Sequence, residues 1–215
     1  MELDEHEQGE LVQKWLRQNG SSLITGVLMG LALVLAWQWW QGRGAHHQQE
    51  AAVEYASFTQ ALEARNQAKA RTIEALLASK YADTPYADLA YLREAAFLVN
   101  AGKADQAIKL LQSARSSATQ ADMKDIMGLR LARAQLIAGK PTDARKTLDA
   151  LGSTQYPAIA AELHGDIASL QGHRDDARKA YQQALTTLDQ AAPTRALLEL
   201  KLIDAGGNPP AKPES

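Results

Sequence analysis

The chain has 215 residues, a formal net charge of −2 and no cysteine. The absence of thiols excludes disulfides, thiolate metal sites and a cysteine nucleophile, so packing alone must hold the fold. Residues 41–215 hold 21 basic and 20 acidic side chains without a basic stripe, and we therefore expect no nucleic-acid partner.

Residues 1–20 form a short acidic segment, with five acidic and two basic side chains. Residues 21–40, SSLITGVLMGLALVLAWQWW, are uncharged and strongly apolar. At about 1.5 Å per residue they would form a helix roughly 30 Å long, the thickness of a bilayer's hydrocarbon core. The four tryptophans lie near the two ends of this run, Trp15 before it and Trp37, Trp39 and Trp40 in its last residues. Tryptophan is favoured at both interfaces of a membrane. The pattern predicts one transmembrane helix over 21–40, in contact with the lipid bilayer.

Two alternatives to an anchor are a cleaved signal peptide and a buried core helix. Val34 and Ala36 fit the small-x-small cleavage pattern, but the acidic start and the tryptophans that follow favour an uncleaved span. Lys14 and Arg17 precede the span and only Arg43 follows it closely, so the positive-inside rule predicts a cytoplasmic N-terminus.

Small residues form one stripe along the predicted span. Ser22, Gly26 and Gly30 are four residues apart, so they share a helix face on which another helix could pack closely. The alternative is that glycine is simply common in membrane helices. We predict a helix-docking stripe here.

The remaining chain divides into three predicted parts. Residues 41–49, with Gly42 and Gly44, are expected to form a linker. Residues 50–204 are rich in alanine and leucine and are expected to form one helical domain. Residues 205–215 lack apolar periodicity and are predicted to be a disordered tail.

A sequence pattern occurs three times in the helical domain, around Gly102, Gly139 and Gly172. Each glycine follows a small residue by seven positions and precedes an alanine by five and a Leu or Tyr by nine. The members are Ala95, Ala132 and Gly165, then Ala107, Ala144 and Ala177, then Leu111, Leu148 and Tyr181. A left-handed glycine between two helices and small residues where they cross explain this spacing. It resembles the tetratricopeptide repeat.

The predicted fold is therefore all-α, a single N-terminal transmembrane helix followed by a tetratricopeptide-repeat-like α-solenoid of helical hairpins. We predict helices over 45–65, 67–79, 86–101, 104–116, 121–138, 141–151, 157–171, 174–190 and 193–204. The last helix is expected to cap the apolar end of the stack.

The inward face of a solenoid is lined mainly by the first helix of each hairpin. Counting from the glycines predicts a protein-binding groove lined by Leu89, Leu92, Ala96, Val99, Ile126, Leu129, Arg133 and Leu136. In the third repeat the same positions are Ile159, Glu162, Asp166 and Ser169, so the groove is expected to end acidic. Such a groove suits unfolded or apolar polypeptide. The alternative is that the helices over 45–79 fill it.

We find no catalytic constellation in the sequence. His46 and His47 are adjacent, so they do not share a helix face, and no third metal ligand is near. Gly139-Lys140 lacks the rest of a phosphate-binding loop. We expect no enzyme activity, no cofactor and no metal.

Several motifs together resemble the YfgM-type ancillary subunit of the Sec translocon, a proteobacterial inner-membrane family. They are Val12-Gln-Lys-Trp-Leu-Arg-Gln-Asn-Gly20, the span ending in Trp, Leu129-Arg-Leu-Ala-Arg133, Ala161-x-x-x-Gly165-Asp166, Gly172 and Ala177-Arg178. The resemblance implies an N-in anchor, a periplasmic repeat domain and no catalysis. It also implies association with the SecYEG translocon and with a membrane-anchored periplasmic prolyl-isomerase-like chaperone.

The expected function is thus a non-enzymatic periplasmic chaperone or adaptor of the Sec translocon, which binds exported polypeptides or partner chaperones through its repeats. The alternative is a structural scaffold for the assembly of cell-envelope complexes, without chaperone activity.

Overall fold

The structure is a computed structural model that describes the backbone of residues 5–209, and their side chains except at 5–12, 16, 23 and 39–43. Within 5–209 it contains α-helices and no strand. The helices are α1 (Glu5–Glu63), α2 (Gln67–Lys80), α3 (Pro85–Asn100), α4 (Ala104–Ser117), α5 (Ala121–Ile137), α6 (Pro141–Asp149), α7 (Pro157–Leu170), α8 (Arg174–Thr187) and α9 (Arg195–Asp204). The all-α prediction is confirmed.

The chain divides into two units, Met1–Ala52 and Val53–Ser215. In the first unit, Arg17–Gln38 is the one helical segment among the described residues that is long and apolar enough to cross a membrane. None of it is buried within the protein, and large apolar side chains such as Leu28 and Leu33 are exposed. Such a surface is compatible with lipid rather than with water.

The predicted linker over 41–49 does not appear as a break, because α1 continues through these residues. Two glycines disfavour a helix by only about 1 kcal/mol each. Their neighbours Gln41, Ala45 and Gln48 are better helix formers, so the backbone hydrogen bonds continue past Gly42 and Gly44.

The second unit is a stack of helical hairpins, and within each hairpin the two helices are joined by a turn of one kind. In each turn a left-handed residue ends the first helix: Arg65, Gly102, Gly139, Gly172 and Gly206. The amide that follows it donates to a carbonyl five residues earlier, at 2.8–2.9 Å, which is the Schellman arrangement. Three of these turns were predicted. The first was missed because Arg65 is not glycine, and the last because Gly206 falls in the predicted tail.

The core follows the repeat spacing. Ala107, Ala144 and Ala177 are fully buried, and Leu111, Leu148 and Tyr181 are also buried. At Gly165 a Cβ atom would overlap the Tyr181 ring, so only glycine lets the two helices of that hairpin cross beside an aromatic residue. The hairpin cores therefore form along the positions that the sequence predicts.

The start of the predicted tail is packed rather than free. Ala205 is buried, and the Gly207 amide donates to the Leu202 carbonyl at 2.9 Å. The Schellman turn at Gly206 uses the backbone amide of Gly207, which explains why these residues have a fixed conformation. Residues 210–215 of the predicted tail lie outside the described residues.

Candidate functional site

A slot of about 220 Å³ lies between α3 and α5, the first helices of two successive hairpins. We call it the α3–α5 slot. Its walls are mainly apolar, and α4 contributes one buried side chain, Leu111. The lining comprises Leu92, Ala95, Ala96, Val99, Asn100, Leu111, Arg130, Arg133, Ala134 and Ile137.

Four of the eight predicted groove residues line this slot: Leu92, Ala96, Val99 and Arg133. The other four do not. Leu129 is buried, and it packs with a core cluster to which the half-buried Leu136 also belongs. Leu89 and Ile126 are half-buried outside the slot. The lining begins at Leu92, so no side chain from residues 53–79 fills the slot.

Six of the ten residues that line the slot were not in the groove prediction, and two of these six, Ile137 and Arg130, are exposed large side chains. Ile137, in the last turn of α5, is 56% exposed, and Arg130 is exposed beside it. The prediction took only four positions of each first helix. The position two residues before the turn glycine would have added Ile137, and the position nine before it would have added Arg130.

The acidic end of the predicted groove is not a free acidic surface. Lys201 of α9 places its Nζ 2.7 Å from Glu162 Oε1 and 2.8 Å from both carboxylate oxygens of Asp166. Arg133 Nη2 lies 3.5 Å from Glu162 Oε2, and the Tyr181 hydroxyl donates to Asp166 Oδ1 at 2.9 Å. The expectation was wrong because it ignored Lys201 of α9, which together with Arg133 balances the charges of the two carboxylates.

A second pair of carboxyl groups lies between α2 and α3. Burial, a hydrogen bond with Glu94 and the charge of that residue raise the pKa of Glu74 to about 8. Glu74 is nine residues after Arg65, the position that Leu111, Leu148 and Tyr181 hold after their glycines. A carboxyl group thus stands where the other hairpins place an apolar one.

The predicted docking stripe on α1 is exposed at Ser22, Gly26 and Gly30. A Cβ atom on either glycine would meet nothing within 4 Å. A docking partner for this stripe stays a prediction.

Among the described side chains, no three His, Asp or Glu residues are grouped to hold a metal ion. His164 of α7 is half-buried, and burial lowers its pKa. The described residues that line the α3–α5 slot include no nucleophile and no acid–base pair, and the ionisable ones among them are arginines. The arrangement offers an apolar contact surface with positive charge at its rim.

Comparison with known proteins covers nearly the whole chain. A family model for a tetratricopeptide repeat-like domain matches residues 13–207. A protein named "Ancillary SecYEG translocon subunit" from Escherichia coli strain K12 is 27% identical over 202 residues, which are 93% of this chain and 95% of that protein. A protein of the same name from Haemophilus influenzae is 25% identical over 198 residues, 92% of this chain and 97% of that protein.

A third relative with that name, from Aggregatibacter actinomycetemcomitans, is 24% identical over 182 residues, 85% of this chain and 89% of that protein. The motif-based resemblance to the ancillary translocon subunits is confirmed by these relatives.

Proposed function

Because the chain belongs to the tetratricopeptide repeat-like domain family, we propose that it is a membrane-anchored binding scaffold ancillary to the SecYEG translocon. The support is similarity along nearly the full length to relatives with that name, rather than to enzymes. The apolar segment Arg17–Gln38 supplies the anchor. On this proposal the protein works without catalysis, by holding other proteins near the channel.

The proposed orientation has the N-terminus in the cytoplasm and the repeats in the periplasm of a bacterial inner membrane. Lys14 and Arg17 before the span, against Arg43 after it, support this orientation. Since the chain has no cysteine, a single cysteine at the exposed Gln183 can be labelled selectively. Labelling by a membrane-impermeant maleimide from the periplasmic side is expected, and protection from that side would contradict the orientation.

We further propose that the repeat domain acts as a chaperone or adaptor, and that the α3–α5 slot contacts exported polypeptides or a membrane-anchored prolyl-isomerase-like chaperone. The observation that carries this proposal is the slot itself. It is an apolar surface lined by Leu92 and Val99 and continued by the exposed Ile137. Exposed apolar surface of this kind suits apolar segments of a partner chain.

Site-specific photocrosslinking in intact membranes tests this proposal. The photoreactive residue replaces Ala96 or Ile137 in the slot, Gly30 in the span, or Gln183 on α8 as a matched exposed control. We expect exported polypeptides or the partner chaperone to be captured from the two slot positions and not from Gln183. Capture should increase when secretion is active.

A second measurement separates chaperone activity from a purely structural role. The purified full-length protein should suppress aggregation of a denatured exported protein, and Ala96→Trp, which fills the slot, should weaken that suppression. No suppression, together with capture of the channel from Gly30 but of nothing from the slot, would favour the scaffold for envelope-complex assembly.

A further inference from the structure

Two arginines occupy equivalent positions in successive hairpins and differ in their partners. Arg93 and Arg130 each lie nine residues before a turn glycine, Gly102 or Gly139. Arg93 Nη2 lies 2.9 Å from Oε1 of Glu63, which is two residues before the turn at Arg65. One hairpin later that position is Asn100, which is neutral. The Glu63–Arg93 ion pair therefore has no counterpart at the equivalent described residues Asn100 and Arg130.

Arg130 has no carboxylate partner among the described side chains. No residue three or four positions away on α5 is acidic, and the described residues that line the slot include no Asp or Glu. The neighbouring Arg133 lies 3.5 Å from Glu162, whose other oxygen binds Lys201. Among the side chains that the structure describes, Arg130 is thus the cation of the slot that is free to meet an external anion.

The size of the slot limits what can enter it. An engineered apolar cavity of about 150 Å³ holds benzene. The 220 Å³ of the α3–α5 slot therefore admits one aromatic or branched aliphatic side chain, in contact with Leu92, Val99 and Leu111. Arg130 lines the same slot, so a carboxylate next to the inserted side chain would be within its reach.

We propose that the α3–α5 slot selects polypeptide segments in which a large apolar side chain stands beside an aspartate or glutamate, and that Arg130 is the residue that sets this preference. This inference rests on the proposed function, since it presumes that the slot binds polypeptide. It goes further by assigning the charge of the bound segment.

Paired peptides test the preference directly. Two fluorescein-labelled peptides carry Glu-Phe-Leu-Glu or Lys-Phe-Leu-Lys between identical Gly-Ser flanks, and their binding to the full-length protein in detergent is measured by anisotropy. We expect the acidic peptide to bind about three- to tenfold more tightly, the range for an ion pair at a partly exposed site. Arg130→Gln should abolish the preference, and Arg130→Glu should reverse it.

Two controls make the outcomes distinct. Lys179→Glu makes the same kind of charge change on the exposed face of α8, and it should leave the preference intact. Ala96→Trp should abolish binding of both peptides, because it fills the slot. If Ala96→Trp abolishes binding while Arg130→Glu leaves the acidic preference unchanged, the inference is wrong and the proposed function stands. If neither peptide binds, or if Ala96→Trp has no effect, both are wrong.

Discussion

The sizes of Gly165 and Tyr181 are complementary, because the smallest residue faces a large ring. The equivalent pairs in the two preceding hairpins are Ala95 with Leu111 and Ala132 with Leu148, so an alanine accompanies a leucine and the glycine accompanies a tyrosine. Because a Cβ atom at Gly165 would overlap the tyrosine ring, the larger partner requires the smaller one.

Gly165→Ala is expected to destabilise the fold by about 1–3 kcal/mol, the usual penalty for overpacking a core. Thermal unfolding of the full-length protein in detergent, followed by circular dichroism, measures this effect. Adding Tyr181→Leu should recover much of the loss. Gly128→Ala is the matched control, since its Cβ would meet the flexible end of Leu151, 2.6 Å away, rather than a ring. Equal losses in the two alanine variants would contradict this account.

Glu74 makes the stability of the fold depend on pH. Its pKa is raised to about 8 by burial and by Glu94, while in the unfolded chain it is 4.5. Between these values the folded state keeps a proton that the unfolded state has lost, so stability falls as pH rises. Arg71 opposes the shift. Burial, followed by the charges of Glu74, Asp88 and Glu94, raises the pKa of Tyr91 on α3.

Glu74→Gln should therefore stabilise the protein at pH 8 more than at pH 5. The expected gain at pH 8 is about 1 kcal/mol after solvent screening, or about 2–4 °C in the melting temperature. Melting curves across this pH range give the difference, with Asp122→Asn as an exposed carboxylate control. A wild-type–variant difference that stays constant from pH 5 to pH 8 would show that Glu74 does not titrate in this way.

At the scale of elements, α9 does more than cover the end of the stack. Leu198 and Leu202 are buried in one cluster with Tyr181 and Leu185 of α8, as a cap requires. On the side towards α7, Lys201 pairs with Glu162 and Asp166, and the three side chains are only 16–25% exposed. Removing one ion from such a site leaves the others poorly solvated and unpaired.

Lys201→Met should accordingly cost about 2 kcal/mol and should loosen α9, because Asp166 loses its cation and Glu162 keeps only Arg133, 3.5 Å away. Hydrogen exchange over Arg195–Asp204 and the melting temperature of the full-length protein measure the two effects. Lys140→Met removes an equally short pair with Asp105, 2.6 Å, but both side chains are 45% exposed or more, so water screens the pair and its loss should destabilise the protein clearly less than Lys201→Met does. Similar costs for the two variants would contradict the role given to burial.

At the scale of the whole molecule, the repeat extends beyond the three predicted hairpins. The left-handed residues from Arg65 to Gly206 are spaced by 37, 37, 33 and 34 residues. The turn between α1 and α2 is thus of the same kind as the later ones, and α9 ends in such a turn too, with no further helix after it among the described residues. Within residues 5–209 the last helix of the stack is α9, which makes apolar contacts with α8 and charged contacts with α7.

The sequence by itself determined the features that depend on local spacing. The uncharged run before Gln41, the turn glycines at 102, 139 and 172, and the buried Ala and Leu positions all follow from helix geometry and backbone conformation. For the same reason, four of the eight predicted groove residues could be placed in the α3–α5 slot.

Only the tertiary structure decided the features that depend on which distant side chains meet. The burial of Leu129 and the pairing of Asp166 with Lys201 are contacts between different helices. That no described carboxylate reaches Arg130 likewise depends on how the helices pack. Two glycines could not stop α1, because extended runs of good helix formers outweigh a local cost of about 1 kcal/mol each. Packing between hairpins, which periodicity along one helix cannot specify, set the shape and charge of the slot.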